Sequence, residues 1–170
     1  MTPDPSIRQA RIDRDYDELV RLISSSIDVA DDPSTHLVQL AWSALHSSSV
    51  SWLGFYLLDE QPGHRQMILG PHMDRPACSP IGMNGACGRA LEGRRTILIE
   101  DMARIDPDQV IPCDPRDRSE IVIPCQGPDG GLSVLDLDSH EVSAFGRQDD
   151  LGLRRCLVAA GFHPLEPLQA

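Results

Sequence analysis

The chain has 170 residues, enough for a single domain whose one core needs no staples. Its 26 acidic residues against 15 basic ones give a net charge of −11, a field that repels phosphate and argues against nucleic acid and anionic membranes as partners. All 15 basic residues are arginine, which excludes lysine Schiff-base chemistry and any lysine-bearing phosphate loop.

Met1 to Ala10 is polar and broken by proline, unlike the apolar core of a signal peptide, so a cytoplasmic location is expected. Five unevenly spaced cysteines in a reducing compartment do not form a disulfide framework. From Asp13 to Ala30 apolar residues recur at Tyr16, Leu19, Val20, Leu22, Ile23 and Ile27, a helical spacing. A second helix starts at Asp32-Pro33, an N-cap followed by proline at the first position. It runs to about His46 with Leu37, Leu40, Ala41, Ala44 and Leu45 inward.

Val50 to Leu58 reads as a strand, with Arg65 to Leu69 its hairpin partner across Gln61, Pro62 and Gly63. Pro71 to Asn84 is irregular, and Cys87 to Glu92 is a short helix closed by Gly93. Thr96 to Glu100 is a strand, and Asp101 to Arg118 is a long loop without a period. Ser119 to Cys125 and Gly131 to Asp138 are strands joined by the turn residues Gln126 to Gly130. Arg147 to Ala160 is a closing helix with Leu151, Leu157 and Val158 inward. Hairpin-linked strands bracketed by helices predict an α+β fold, a mainly antiparallel sheet with helices packed on one face. The expected domain spans 13–162, between a polar extension at 1–12 and a tail at 163–170.

Three cysteines lie where thiols can react. Cys113 is in the long loop, Cys78 is in the other irregular segment, and Cys87 opens the short helix, whose N-terminal dipole stabilises a thiolate. Thiols on loops can also approach one another. Cys125 and Cys156 sit in apolar periodic segments and read as core. Asp136 and Asp138 share one face of the last strand. A symmetric turn that pairs Cys125 with Gly131 would set Glu120 opposite Asp136, a like-charge pair that needs a cation or a shared proton. Trp52, Gly54 and Tyr56 share a face too, and Gly54 leaves a gap between two rings for the end of a small ligand. The six histidines have no metal-ligand spacing, and no C-x-x-C occurs; a zinc set drawn from Cys78, Cys87, Cys113 and a histidine stays open.

Gly54-Phe55-Tyr56, Pro76-Ala77-Cys78, Cys87-Gly88, Cys113-Asp114, Ser119-Glu120-Ile121-Val122 and Leu135-Asp136-Leu137-Asp138-Ser139 occur in one chain, from about Asp13 to the final helix. Together they resemble the free methionine-(R)-sulfoxide reductases, single-domain GAF proteins. The resemblance implies a six-stranded antiparallel GAF sheet with flanking helices, and reduction of the free R epimer of methionine sulfoxide. It implies that Cys113 is the nucleophile, Cys78 the principal resolving thiol and Cys87 the third cysteine of the set. Glu120, Asp136 and Asp138 match the pocket carboxylates, with Glu120 the candidate acid, and Trp52 and Tyr56 match the aromatic wall. No bound cofactor or metal is needed; thioredoxin is the expected external reductant, and a homodimer stays open. Two other readings also stay open: a GAF module that senses a small ligand, and a thiol switch without turnover.

Overall fold

The computed structural model describes residues 13–74, 76–109 and 112–166; the expected extension at 1–12 and the last four residues of the tail lie outside them. In chain order the elements are α1 (Tyr16–Ser26), α2 (Pro33–Leu45), β1 (Trp52–Gln61), β2 (His64–Met73), α3 (Ala86–Gly93), β3 (Ile97–Ile99), β4 (Ser119–Gln126), β5 (Leu132–Ser139), α4 (Arg147–Ala159) and β6 (His163–Pro164). The α+β expectation holds. Six strands form one sheet in the order β2-β1-β5-β4-β3, and β6 shares the outer edge of β4 with β3. All the pairings are antiparallel. His163 and Pro164, expected in the tail, thus belong to the sheet, paired with Gln126 and Cys125.

Local sequence explains most of the boundaries. The Asp15 carboxylate accepts from the Glu18 amide and caps α1. Asp32 caps α2 through the Thr35 amide, with Pro33 at the first helical position as expected. β2 extends four residues past the expected end at Leu69. Pro71 is tolerated because β2 is an edge strand, and the register slips between Gly54 and Tyr56 opposite it. Gly93 does not close α3 from outside; it is the last helical residue, and Arg94 takes the left-handed conformation at φ 50°.

Strand alternation divides the sheet into two faces. Leu53 and Phe55, Ile121 and Ile123, and Leu135 and Leu137 form the main core with Leu19 and Ile23 of α1, Leu37, Ala41 and Leu45 of α2, and Leu153 and Leu157 of α4. Cys125 and Cys156 are buried in this core, as expected of small apolar residues. The inward face of α4 differs from expectation. Leu151 is 51% and Val158 61% exposed, while Gly152, Leu153 and Cys156 face inward. The cause is α1: the Gly152 backbone lies so close to the Tyr16 ring that a Cβ there would fall 2.2 Å from the ring's Cγ. Ala44 of α2 is exposed as well.

The helices are not all on one face. α3 covers the opposite face of the sheet, where Ala90 and Leu91 pack with Ile99, Val122 and Val134. This second, smaller layer stops short of the ends of β4 and β5. The gap that remains is the pocket.

Candidate active site

On the α3 face the register sets Trp52 beside Asp138 and Gly54 beside Asp136, while Glu120 lies opposite Asp138 and Val122 opposite Asp136. Glu120 is therefore not directly opposite Asp136, as a symmetric turn would require. Pairing continues one residue further, with Gln126 opposite Leu132 and Gly127 bonded to Gly131. The loop narrows to Pro128-Asp129-Gly130, with Gly130 at φ 87°. Cys125 consequently pairs with Ser133, not with Gly131. The shift is an even number of residues, so Glu120 keeps its face and still meets Asp136 diagonally through a side-chain hydrogen bond.

All eight expected site residues, Trp52, Tyr56, Cys78, Cys87, Cys113, Glu120, Asp136 and Asp138, line one cavity of about 280 Å³. Cys78 and Cys113, 35 residues apart, form a disulfide across its mouth with Cα atoms 5.6 Å apart. Two anchors hold the Cys78 segment: Tyr56 Oη donates to the Cys78 carbonyl at 2.8 Å, and Ser79 Oγ accepts from the Leu69 amide at 3.1 Å.

The Cys113 side is anchored by residues that sequence reasoning missed. The Asp114 carboxylate accepts from the Arg116 amide and guanidinium, and His140 Nε2 lies 3.1 Å from it. Asp117 is buried beside them and accepts from Ser51 Oγ at 3.2 Å. The Arg116 hydrogen bonds hold the Asp114 carboxyl well below the usual carboxylate range. Burial and the charge of Asp114 push Asp117 up to about 6. These contacts fasten the Cys113 turn to the end of β5. The available signals were weak: an aspartate after the cysteine, and a histidine just past the last strand.

The tertiary setting reverses two local expectations. Cys87 does lie at the start of α3, but its thiol is buried and donates to Asp136 Oδ2 at 3.5 Å. Burial, and then the neighbouring Asp136, Glu120 and Asp138, push it well above a free thiol. A helix terminus carries only about half an elementary charge, too little to offset them, so Cys87 is a neutral thiol. The space at Gly54 is also not a ligand gap. His72 fills it, stacked on Trp52, and a Cβ on Gly54 would lie 2.4 Å from His72 Cβ. Trp52 and Tyr56 touch each other directly, with ring centroids 5.8 Å apart.

Burial pushes all three carboxyls up, and mutual repulsion adds to the shifts at Glu120 and Asp138. Asp136 reaches about 7, mainly through burial. Asp136 Oδ1 and Trp52 Nε1 are buried with no hydrogen-bond partner among the described residues. A cavity with a protonated acid, unpaired polar atoms and an aromatic wall can bind a cationic amino-acid head while donating a proton. The raised carboxyls also set the sign of a stability effect. Folding favours their protonated forms, so the stabilisation they contribute is complete below the ordinary carboxylate range and is lost as pH rises, for Asp136 through about 7. Urea unfolding at pH 5 and pH 8 should show this loss, and Asp136→Asn should reduce it. Equal slopes in the two proteins would show that Asp136 is already charged in the fold.

The fold and pocket define a GAF-fold protein. The chain is 25% identical over 158 residues to GAF domain-containing protein A of Dictyostelium discoideum, covering 92% of this chain and 97% of that one. No protein-family model matches the chain. It belongs to the free methionine-R-sulfoxide reductase family, an oxidoreductase family: it is 32% identical over 152 residues to the free methionine-R-sulfoxide reductase of Escherichia coli K12, covering 88% of this chain and 84% of the relative. The X-ray structure of the free methionine-R-sulfoxide reductase of Neisseria meningitidis in complex with its substrate superposes with a TM-score of 0.74 at 28% identity, covering 85% of each chain.

Proposed function

We propose that this protein reduces free methionine-(R)-sulfoxide to methionine, with Cys113 as nucleophile. The observation that carries the reading is the Cys78–Cys113 disulfide at the mouth of a cavity floored by three carboxyls. In the reduced protein the Cys113 thiolate attacks the sulfoxide sulfur. The S–O bond breaks, the oxygen takes a proton and passes to Cys113 as sulfenic acid, and methionine leaves with its sulfur reduced. Glu120 is the acid in this reading, kept protonated by burial and by Asp136. Asp136 and Asp138 face the substrate ammonium group, and Trp52 and Tyr56 hold the S-methyl end.

Cys78 then condenses with the sulfenic acid, releasing water and forming the disulfide. Thioredoxin is the proposed external dithiol that exchanges it back. The balance needs no bound cofactor. Cys87, neutral and hydrogen-bonded to Asp136, orients that carboxylate and is not the main resolving thiol. A thiol cycle of this kind suits a reducing cytoplasm and a role under oxidative stress. Among the described residues no helix is long and apolar enough to cross a membrane.

The test is thioredoxin-coupled NADPH oxidation with free L-methionine-(R)-sulfoxide. Catalytic consumption supports the reading, and consumption of at most one equivalent per chain favours a switch or a sensor. Cys78→Ser should still release about one methionine per chain, because resolution follows the first chemical step, yet recycle poorly through thioredoxin. A wild-type steady-state rate in this variant would remove Cys78 from the cycle.

A further inference from the structure

We propose that Cys87, Glu120 and Asp136 form a site for one thiophilic divalent cation of the zinc class, in the floor of the same pocket. The cation would take the place of the substrate's ammonium group, so its competition with substrate, though not its binding, rests on the function proposed above.

Each of the three residues offers a ligand atom, these atoms lie within 4.8 Å of one another, and all three residues are buried. Cys87 Sγ and Asp136 Oδ2 are already 3.5 Å apart. A tetrahedral zinc ion with Zn–S of about 2.3 Å and Zn–O of about 2.1 Å sets two such ligands about 3.6 Å apart. An independent observation also points to a ligand. Asp136 lines the cavity and is 4% exposed, and its Oδ1 is buried without a hydrogen-bond partner among the described residues.

The charges agree. Carboxyls crowded in a dry pocket repel when ionised, and a dication offsets that repulsion. One thiolate with two carboxylates is a donor set that zinc accepts, and the cavity leaves its fourth position open. The donors come from α3, β4 and β5, so the packed sheet, not a loop, holds them. On binding, the Cys87 thiol and any protonated carboxyl release their protons, so affinity falls as pH falls. The other group of metal-ligating side chains, Asp114, Asp117 and His140, differs because the Arg116 guanidinium already occupies Asp114.

The test uses the oxidised protein, in which Cys78 and Cys113 are joined and Cys87 is the remaining thiol lining the cavity. Cobalt(II) is titrated in and followed by absorbance. The expected result is one equivalent bound with tetrahedral ligand-field bands and a thiolate charge-transfer band. Cys87→Ser should lose the charge-transfer band. Asp136→Asn should weaken cobalt binding by at least about 10-fold, since even outer partners of a metal ligand are worth that much. Far-UV circular dichroism checks both folds, and the wild-type titration stands without them. Absence of thiolate charge transfer in the wild type, or its survival in Cys87→Ser, overturns the site. If the band behaves as expected but free methionine does not displace the cobalt, the cation site stands and the pocket's role as the methionine site fails.

Discussion

Cys113→Ser should abolish methionine sulfoxide reduction, with a loss of roughly 10³-fold or more, the scale on which losing a catalytic nucleophile falls. Hydroxyl and thiol are nearly isosteric, so the pocket should keep its shape, but a serine hydroxyl stays protonated at neutral pH and does not attack sulfur. The Cys113 turn is held by Asp114, Arg116 and His140, none of which bonds through the Cys113 sulfur. The variant should therefore melt close to the reduced wild type. The oxidised wild type is the wrong reference, because closing the loop between Cys78 and Cys113 contributes about 2–4 kcal/mol. Substantial turnover by Cys113→Ser would remove it from the first chemical step.

Glu120→Gln should lower kcat by about 10²- to 10⁴-fold, the usual cost of losing a positioned general acid. Asp136→Asn should lower kcat less and raise KM more, because it removes charge facing the ammonium group. Glutamine can donate to Asp136 much as the protonated glutamate does, so stability at neutral pH should stay near wild type or rise. Steady-state kinetics and melting curves for the two variants separate the outcomes. Normal turnover by Glu120→Gln would mean that the proton comes from elsewhere. If both variants melted far below wild type, the carboxyls would be structural and the acid assignment would fall.

Much of the site was legible along the chain because strand chemistry repeats every two residues. Leu135 and Leu137 alternate with Asp136 and Asp138, so one face had to be apolar and the other acidic whatever the strand's neighbours were. The same rule joined Trp52 and Tyr56. An error of two residues in the β4–β5 register did not move Glu120 off its face, since only an odd shift would have done so. What two-residue periodicity does not contain is the centre of a turn. Gly127 to Gly130 are all turn-prone, and the fold centres the turn on Asp129, one residue later than the symmetric turn, which keeps Gln126 in the ladder.

The amino-acid sequence alone determined the two-faced sheet, the helix start capped by Asp32, and which side chains were candidates for chemistry, because these follow from spacing and local hydrogen bonding. Only the tertiary structure decided that α3 covers the face opposite the other helices, that α4 turns Gly152 toward Tyr16, and that Cys78 reaches Cys113. It also decided the state of Cys87. The local signal at a helix N-terminus favours a thiolate, but three carboxyls carried in on β4 and β5 and the loss of water around the sulfur keep it protonated. Desolvation and charge act through space, and the groups that impose them here lie at least 33 residues further along the chain, where no local pattern connects them to Cys87.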